Sequence, residues 1–268
     1  MKDYVVVVGG LNIDIAGLSG DVYREKDSNI GEVTINIGGV GQNIAQNLTK
    51  LGTPTHLVTV YGDDSFGKIA QMECKKNKIG LENAEQIENS RSSIYLYVND
   101  NEGDLVTGIN DMKICENITP EFLAKRLDFI NGAKIVVVDC NLSQESIEWL
   151  CENVTSPIYV DPVSVAKVDR VKNVYISLGA QGILCVKEGE AVLVKPLAKK
   201  IVSTNGAGDC SMATLVWARF NHGEELPLEE VGTYTQAAAS INVESPLAVS
   251  PELNVEEVLK RAEEGKKN

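Results

Sequence analysis

Short β-branched runs alternate with amphipathic stretches along most of this chain. The runs at 5–8, 56–60, 134–139, 158–161, 174–178 and 182–186 are apolar and lie beside Gly, Asp or Asn. Between them, 43–51, 65–77, 120–130 and 144–153 carry apolar residues at helical spacing. This alternation predicts an α/β fold with a mainly parallel sheet covered by helices. Two stretches break the rhythm. Residues 33–37 and 92–109 read as hairpin strands, with two-residue alternation through Ile94-Tyr95-Leu96-Tyr97-Val98 and turn composition at 99–104. They predict a small β unit set apart from the main sheet. Residues 211–218 suit a helix, and the basic tail 261–268 reads as a frayed helix end. With no internal repeat, low-complexity segment or long linker, the 268 residues are expected to form one domain with a small appendage.

Charge and cysteine usage narrow the function classes. Lys and Arg total 25 against 38 Asp and Glu, a net charge of −13. That balance argues against coating nucleic acid or an anionic membrane, although backbone cradles can still bind phosphate locally. Six cysteines show no C-x-x-C spacing and read as reduced thiols rather than a zinc site or disulfide frame. His56 and His222 alone give little support to histidine-ligated metal or Ser-His-Asp chemistry. The N-terminal apolar run ends at Gly9, too short for a signal peptide or a membrane span. The expected compartment is the cytoplasm.

The richest chemistry lies in Ser203-Thr204-Asn205-Gly206-Ala207-Gly208-Asp209-Cys210. Its glycines permit a tight turn that aims successive N–H groups into one concavity. The helix that follows adds the positive end of its dipole, so the loop suits an anion such as phosphate. Asp209 sits at the mouth. Phosphoryl transfer to a hydroxyl needs both parts: donors for the moving group and a base for the hydroxyl proton. An ordinary glycine-rich helix cap would read the same way locally. A second cluster, Ile37-Gly38-Gly39-Val40-Gly41-Gln42-Asn43, follows a strand-like run and opens another helix. Glycine there permits close approach by a ligand, and the Asn43 amide offers a polyol both a donor and an acceptor. Asp14 is expected just past the carboxyl end of the first strand, the edge where α/β sheets bind ligands. With Asn43 it reads as a sugar-diol clamp; by itself it reads as a turn cap.

Two decoys are set aside. Gly62-Asp63-Asp64-Ser65-Phe66-Gly67-Lys68 begins like a P-loop, but Ile69 stands where a magnesium-binding Ser or Thr is required. A turn capping the next helix is the better reading. Gly39-Val40-Gly41 begins a dinucleotide fingerprint, yet Ile44 replaces its third small residue.

Taken together, Gly38-Gly39-Val40-Gly41-Gln42-Asn43 and Thr204-Asn205-Gly206-Ala207-Gly208-Asp209 resemble the two signatures of the ribokinase-like (pfkB) carbohydrate and nucleoside kinases, in the same order. Residues 12–17, 39–48, 109–112, 138–141 and 159–164 are most similar to the branch that phosphorylates pseudouridine. The resemblance implies a ribokinase-like α/β fold: a mainly parallel central sheet flanked by helices, with a small β-sheet lid formed by about 15–37 and 92–112, in one domain spanning 1–268. It implies ATP-dependent phosphorylation of a ribose 5′-hydroxyl, with Asp209 as general base and Gly206, Ala207 and Gly208 as the anion hole. Asn12, Asp14, Gly39 and Asn43 would hold the nucleoside. Asn110 would read the base edge or serve a turn. Ser177, Gly179 and Gly182 would line the nucleotide site, with Asn242 beside the adenine. ATP and Mg2+ are the implied cofactors, with a monovalent cation (K+) near the loop and no protein metal ligand assigned. The implied partner is a small-molecule nucleoside or sugar, not nucleic acid or a membrane, and the lid is where a homodimer would form.

Other members of the family, acting on ribose, adenosine or a related sugar, stay open as alternatives. So does a catalytically weak nucleoside-binding protein. One departure motivates the last. The family's Asn-x-x-Glu element, which positions magnesium waters, has no counterpart in 162–173, and these twelve residues sit at the lower limit for a parallel crossover. A missing stretch is expected there, visible as a chain break or an abrupt link.

Overall fold

The computed structural model describes residues 3–161, 173–187, 190–198 and 200–266. Its main sheet is parallel, in the order β10 (Ile158–Asp161), β9 (Ile135–Asp139), β1 (Val5–Val8), β4 (Thr55–Val58). Four consecutive valines make β1 because both of its faces are covered. Val5 and Val7 pack in a core with Ile44, Leu48, Val216 and Trp217. Val6 and Val8 pack in a second core with Phe122, Ile130 and Leu150. The first core takes α1 (Val40–Lys50), α2 (Ser65–Lys76), α6 (Ala207–His222), α7 (Leu228–Val243) and α8 (Val255–Gly265). The second takes α3 (Pro120–Ala124), α4 (Leu127–Gly132) and α5 (Gln144–Asn153). The result is a sheet between two helical layers.

A lid sheet stands beside this body in the order β3 (Gly31–Gly38), β2 (Asn12–Ser19), β7 (Ser93–Asn99), β8 (Leu105–Asp111). It is mixed: β2 runs parallel to β7, while the outer pairs are antiparallel. Strands β5 (Val60–Gly62) and β6 (Glu85–Ile87) form a parallel pair. A third sheet, β11 (Asn173–Ser177), β12 (Ile183–Lys187) and β13 (Glu190–Val194), is antiparallel, and Cys185 and Val194 pack where Gly232 of α7 leaves space.

Four local expectations change. The amphipathic stretch 120–130 is two helices. The Arg126 guanidinium turns back onto the Phe122 carbonyl (2.8 Å), the Asn83 carbonyl (2.7 Å) and Glu85 (2.8 Å), and the helix restarts at Leu127. The run 182–186 is antiparallel to its predecessor, because the tight turn at 178–182 leaves no length for a crossover. Asp14 lies inside β2, paired on both sides, rather than just past the end of β1. The tail helix is anchored: Arg261 bonds Glu244 at 2.8 Å and Glu257 at 3.3 Å. The connection at 162–172, where a break or abrupt link was expected, lies outside the described residues. Among the described residues no helix is long and apolar enough to cross a membrane.

Candidate active site

The two glycine clusters meet in space. Gly39 caps the N-terminus of α1, and Asn43 lies one turn inside. Gly206, at φ 70°, caps α6, and Asp209 lies in its first turn. Left-handed backbone there favours glycine, and an added Cβ would run into the Ala248 carbonyl. The two helices pack so that Asn43 Nδ2 donates to Asp209 Oδ2 at 2.8 Å, across 166 residues of sequence. The α6 terminus also fits phosphate. Its first-turn N–H groups lack carbonyl partners within the helix, and a Cβ added at Gly208 would meet nothing within 4 Å.

Asp14 approaches from the lid. Its carboxylate occupies the space that a side chain at position 38 would fill, so β3 ends in Gly38. Burial pushes the Asp14 carboxyl up to about 6. Asp14 Oδ1, Asn43 Oδ1 and Asn12 Oδ1 are buried polar atoms without a hydrogen-bond partner. Buried polar groups are ordinarily satisfied, so three orphaned acceptors in one region are what a polyhydroxylated ligand would complete. Asp14, Asn36, Asn43, Tyr97 and Asn205 line a cavity of about 370 Å³, which continues to Gln46 and Asn77.

Of the other expected site residues, Asn12 is 7% exposed and donates to Met112 Sδ at 3.9 Å. Asn110 lies exposed on β8, opposite Tyr95. Ser177, Gly179 and Gly182 belong to the end of β11 and the turn into β12 and do not line this cavity. Asn242 corrects an expectation. It is fully buried, donating to the Asn205 carbonyl (3.1 Å) and accepting from the Ser250 amide (3.1 Å). Both ends of its amide brace the glycine loop at 203–208 against Ser250, so it is a strut rather than an adenine contact. Asp64 caps α2 by accepting from Gly67 N at 2.8 Å, which makes the P-loop-like segment a turn. Asp139 stood in the sequence only as part of the family-like stretch 138–141, with no role of its own. Fully buried, it accepts from Gly10 N (3.0 Å) and from the Asn141 backbone and side chain (2.8 Å each), fixing the bend that delivers Asn12 and Asp14. Among the described residues no three His, Cys, Asp or Glu side chains gather as a metal cluster.

Comparison with known proteins decides the family. The model of pfkB family carbohydrate kinases matches residues 2–169 and 157–254. The chain belongs to the pfkB family. Pseudouridine kinase of Escherichia coli is 29% identical over 309 positions, covering 98% of this chain and 97% of that protein. Ribokinase from Thermotoga maritima matches with a TM-score of 0.83 at 19% identity, over 99% of each chain. Arabidopsis thaliana ribokinase, solved with ribose and ATP, matches with a TM-score of 0.81 at 20% identity, over 98% of this chain and 99% of that one. The fold is therefore ribokinase-like. The two matched pieces of the family meet at 157–169, and an alignment of 309 positions exceeds the 268 residues here. The pfkB relative thus carries residues that this chain lacks.

Proposed function

We propose that this chain transfers the γ-phosphoryl group of ATP to the 5′-hydroxyl of pseudouridine. The observation that carries this reading is the 2.8 Å bond from Asn43 to Asp209, which joins a polyol clamp to a carboxylate at a phosphate-binding helix end. The pseudouridine kinase relative supports the choice of nucleoside. Asp14 and Asn43 accept ribose hydroxyls with their orphaned oxygens. Asp209 takes the 5′-hydroxyl proton as the oxygen attacks. The N–H groups of Gly206, Ala207, Gly208 and Asp209 hold the charge that develops on the moving phosphoryl group. ATP supplies that group. Mg2+ needs few protein ligands when phosphate and water complete its shell, and no residue is assigned to it or to a monovalent cation. Exposed apolar lid residues such as Val33 (71%) and Ile109 (62%) support a homodimer through the lid.

ADP release over a panel of pseudouridine, uridine, adenosine and ribose tests the assignment. Pseudouridine carries a ring N–H that uridine lacks, and a site that bonds it rejects uridine by about 1–3 kcal/mol. Equal efficiency on both would refute the choice of pseudouridine and leave a kinase. The split family match favours a second reading, a nucleoside binder without turnover. Saturable pseudouridine binding with no ADP release would select it.

A further inference from the structure

The four lid strands each contribute one residue to a row. Asn36 pairs with Asp14, Asp14 with Tyr95, and Tyr95 with Asn110. The next row in the same alternation is Thr34, Ala16, Tyr97 and Gly108. Directly opposed residues share a face of the sheet, so Asp14 and both tyrosines lie on one side. The rings of Tyr95 and Tyr97 stack, with centroids 5.2 Å apart and planes 29° apart. Tyr95 is seated by its neighbour: a Cβ on Gly108 would come within 3.0 Å of the Tyr95 hydroxyl. Tyr97 lines the cavity together with Asp14 and Asn36, and both tyrosines are only half-buried. Burial raises the Tyr97 phenol above its ordinary range, and the Asp14 charge adds to that, which places ring and carboxylate within electrostatic reach.

We propose that Tyr97, backed by Tyr95, is the platform on which the planar base of the nucleoside stacks while Asp14 holds its ribose. This rests on the nucleoside-kinase reading above and deepens it. A bare pentose satisfies Asp14 and Asn43 but leaves the ring uncovered. A nucleoside satisfies both, so the aromatic face separates nucleosides from free sugars. Every base has a π-face, so the platform selects the class and leaves the choice among bases to polar groups around it.

The test compares Tyr97→Ala, Tyr97→Leu and Tyr97→Phe with the wild type. Kd for pseudouridine is measured by calorimetry, and kcat/KM for pseudouridine and D-ribose by ADP release. Loss of a base–aromatic stack predicts a rise of about tenfold or more in pseudouridine Kd for Ala and Leu. Ribose kcat/KM should change less than about twofold, and Phe should retain wild-type affinity. Leu keeps apolar volume and guards against a folding defect in Ala. Wild-type turnover of pseudouridine with unchanged Kd in Ala and Leu would overturn the platform alone. Equal losses on pseudouridine and ribose would overturn it too, since they mark a structural role. A wild type that binds pseudouridine without ADP release would defeat the kinase reading, and the Kd comparison would still judge the platform. A wild type that binds no pseudouridine would overturn both.

Discussion

Asp209 and Asn43 form one unit at the residue scale. A carboxylate at a helix start can rotate, and the Asn43 amide holds Asp209 Oδ2 at 2.8 Å. Asp209→Asn should keep pseudouridine affinity and lower turnover by about 100-fold or more, the scale of a lost positioned base. If Asn43 acts through Asp209, Asn43→Ala should lower kcat in the wild-type background and cost little further in Asp209→Asn. Additive losses in the double variant would show that Asn43 works on substrate alone. Asp14 carries a different cost. Burial raises its carboxyl from 3.8 to about 6, so between those values the folded protein binds a proton that the unfolded chain has released. Stability falls as pH rises through that window, and the penalty is complete above its upper limit. Asp14→Asn should therefore abolish nucleoside binding yet stabilise the fold by about 1–3 kcal/mol at neutral pH, with the gain gone in acid below the ordinary carboxylate range. A lower Tm for Asp14→Asn at neutral pH would contradict this.

At the scale of elements, legibility in the sequence followed whether the deciding contacts were local. The helix at 144–153 was readable from its apolar residues at helical spacing, and its start is local too, with Ser143 accepting from Ser146 N at 3.2 Å. The α2 start was readable from the turn at 62–68, where Asp64 caps the helix. The split of 120–130 was not readable, since Arg126 breaks the helix for partners at Asn83 and Glu85, some forty residues earlier. The two glycine clusters located α1, α6 and their key side chains. Their direct contact is a tertiary fact that no spacing encodes. Asn242 misled for the same reason: a lone asparagine near a nucleotide signature is as well suited to bracing two loops as to touching a base, and only its partners Asn205 and Ser250 distinguish the roles. Tyr95 and Tyr97 were visible as alternation, but their chemistry emerged only when register placed them beside Asp14.

For the whole molecule, the question is what joins the main sheet to the β11–β13 sheet. Among the described residues no ladder pairs β10 with β11. Side chains bridge them instead. Arg219, 3% exposed near the end of α6, donates to Tyr175 Oη of β11 at 3.0 Å and to the Gly223, Glu224 and Leu226 carbonyls. Glu224 in turn accepts from Tyr159 of β10 at 3.0 Å and Lys187 of β12 at 2.9 Å. Desolvation of Glu224 opposes its ionisation, yet bonds from Lys187 and Tyr159 and the charge of Arg219 hold its carboxyl below the ordinary range. Arg219 is buried while Glu224 is half exposed, so removing Arg219 chiefly leaves buried acceptors short of a donor, at about 1–3 kcal/mol. Arg219→Met preserves bulk and deletes the charge. It should lower Tm and let the amides of β11–β13 exchange hydrogen ahead of those in β1 and β9, because the third sheet loses its tie while the parallel sheet keeps both helical layers. An unchanged order of exchange, with β11–β13 as protected as in the wild type, would show that packing on α7 alone holds the third sheet and that the Arg219 cluster is dispensable to the union of the two halves.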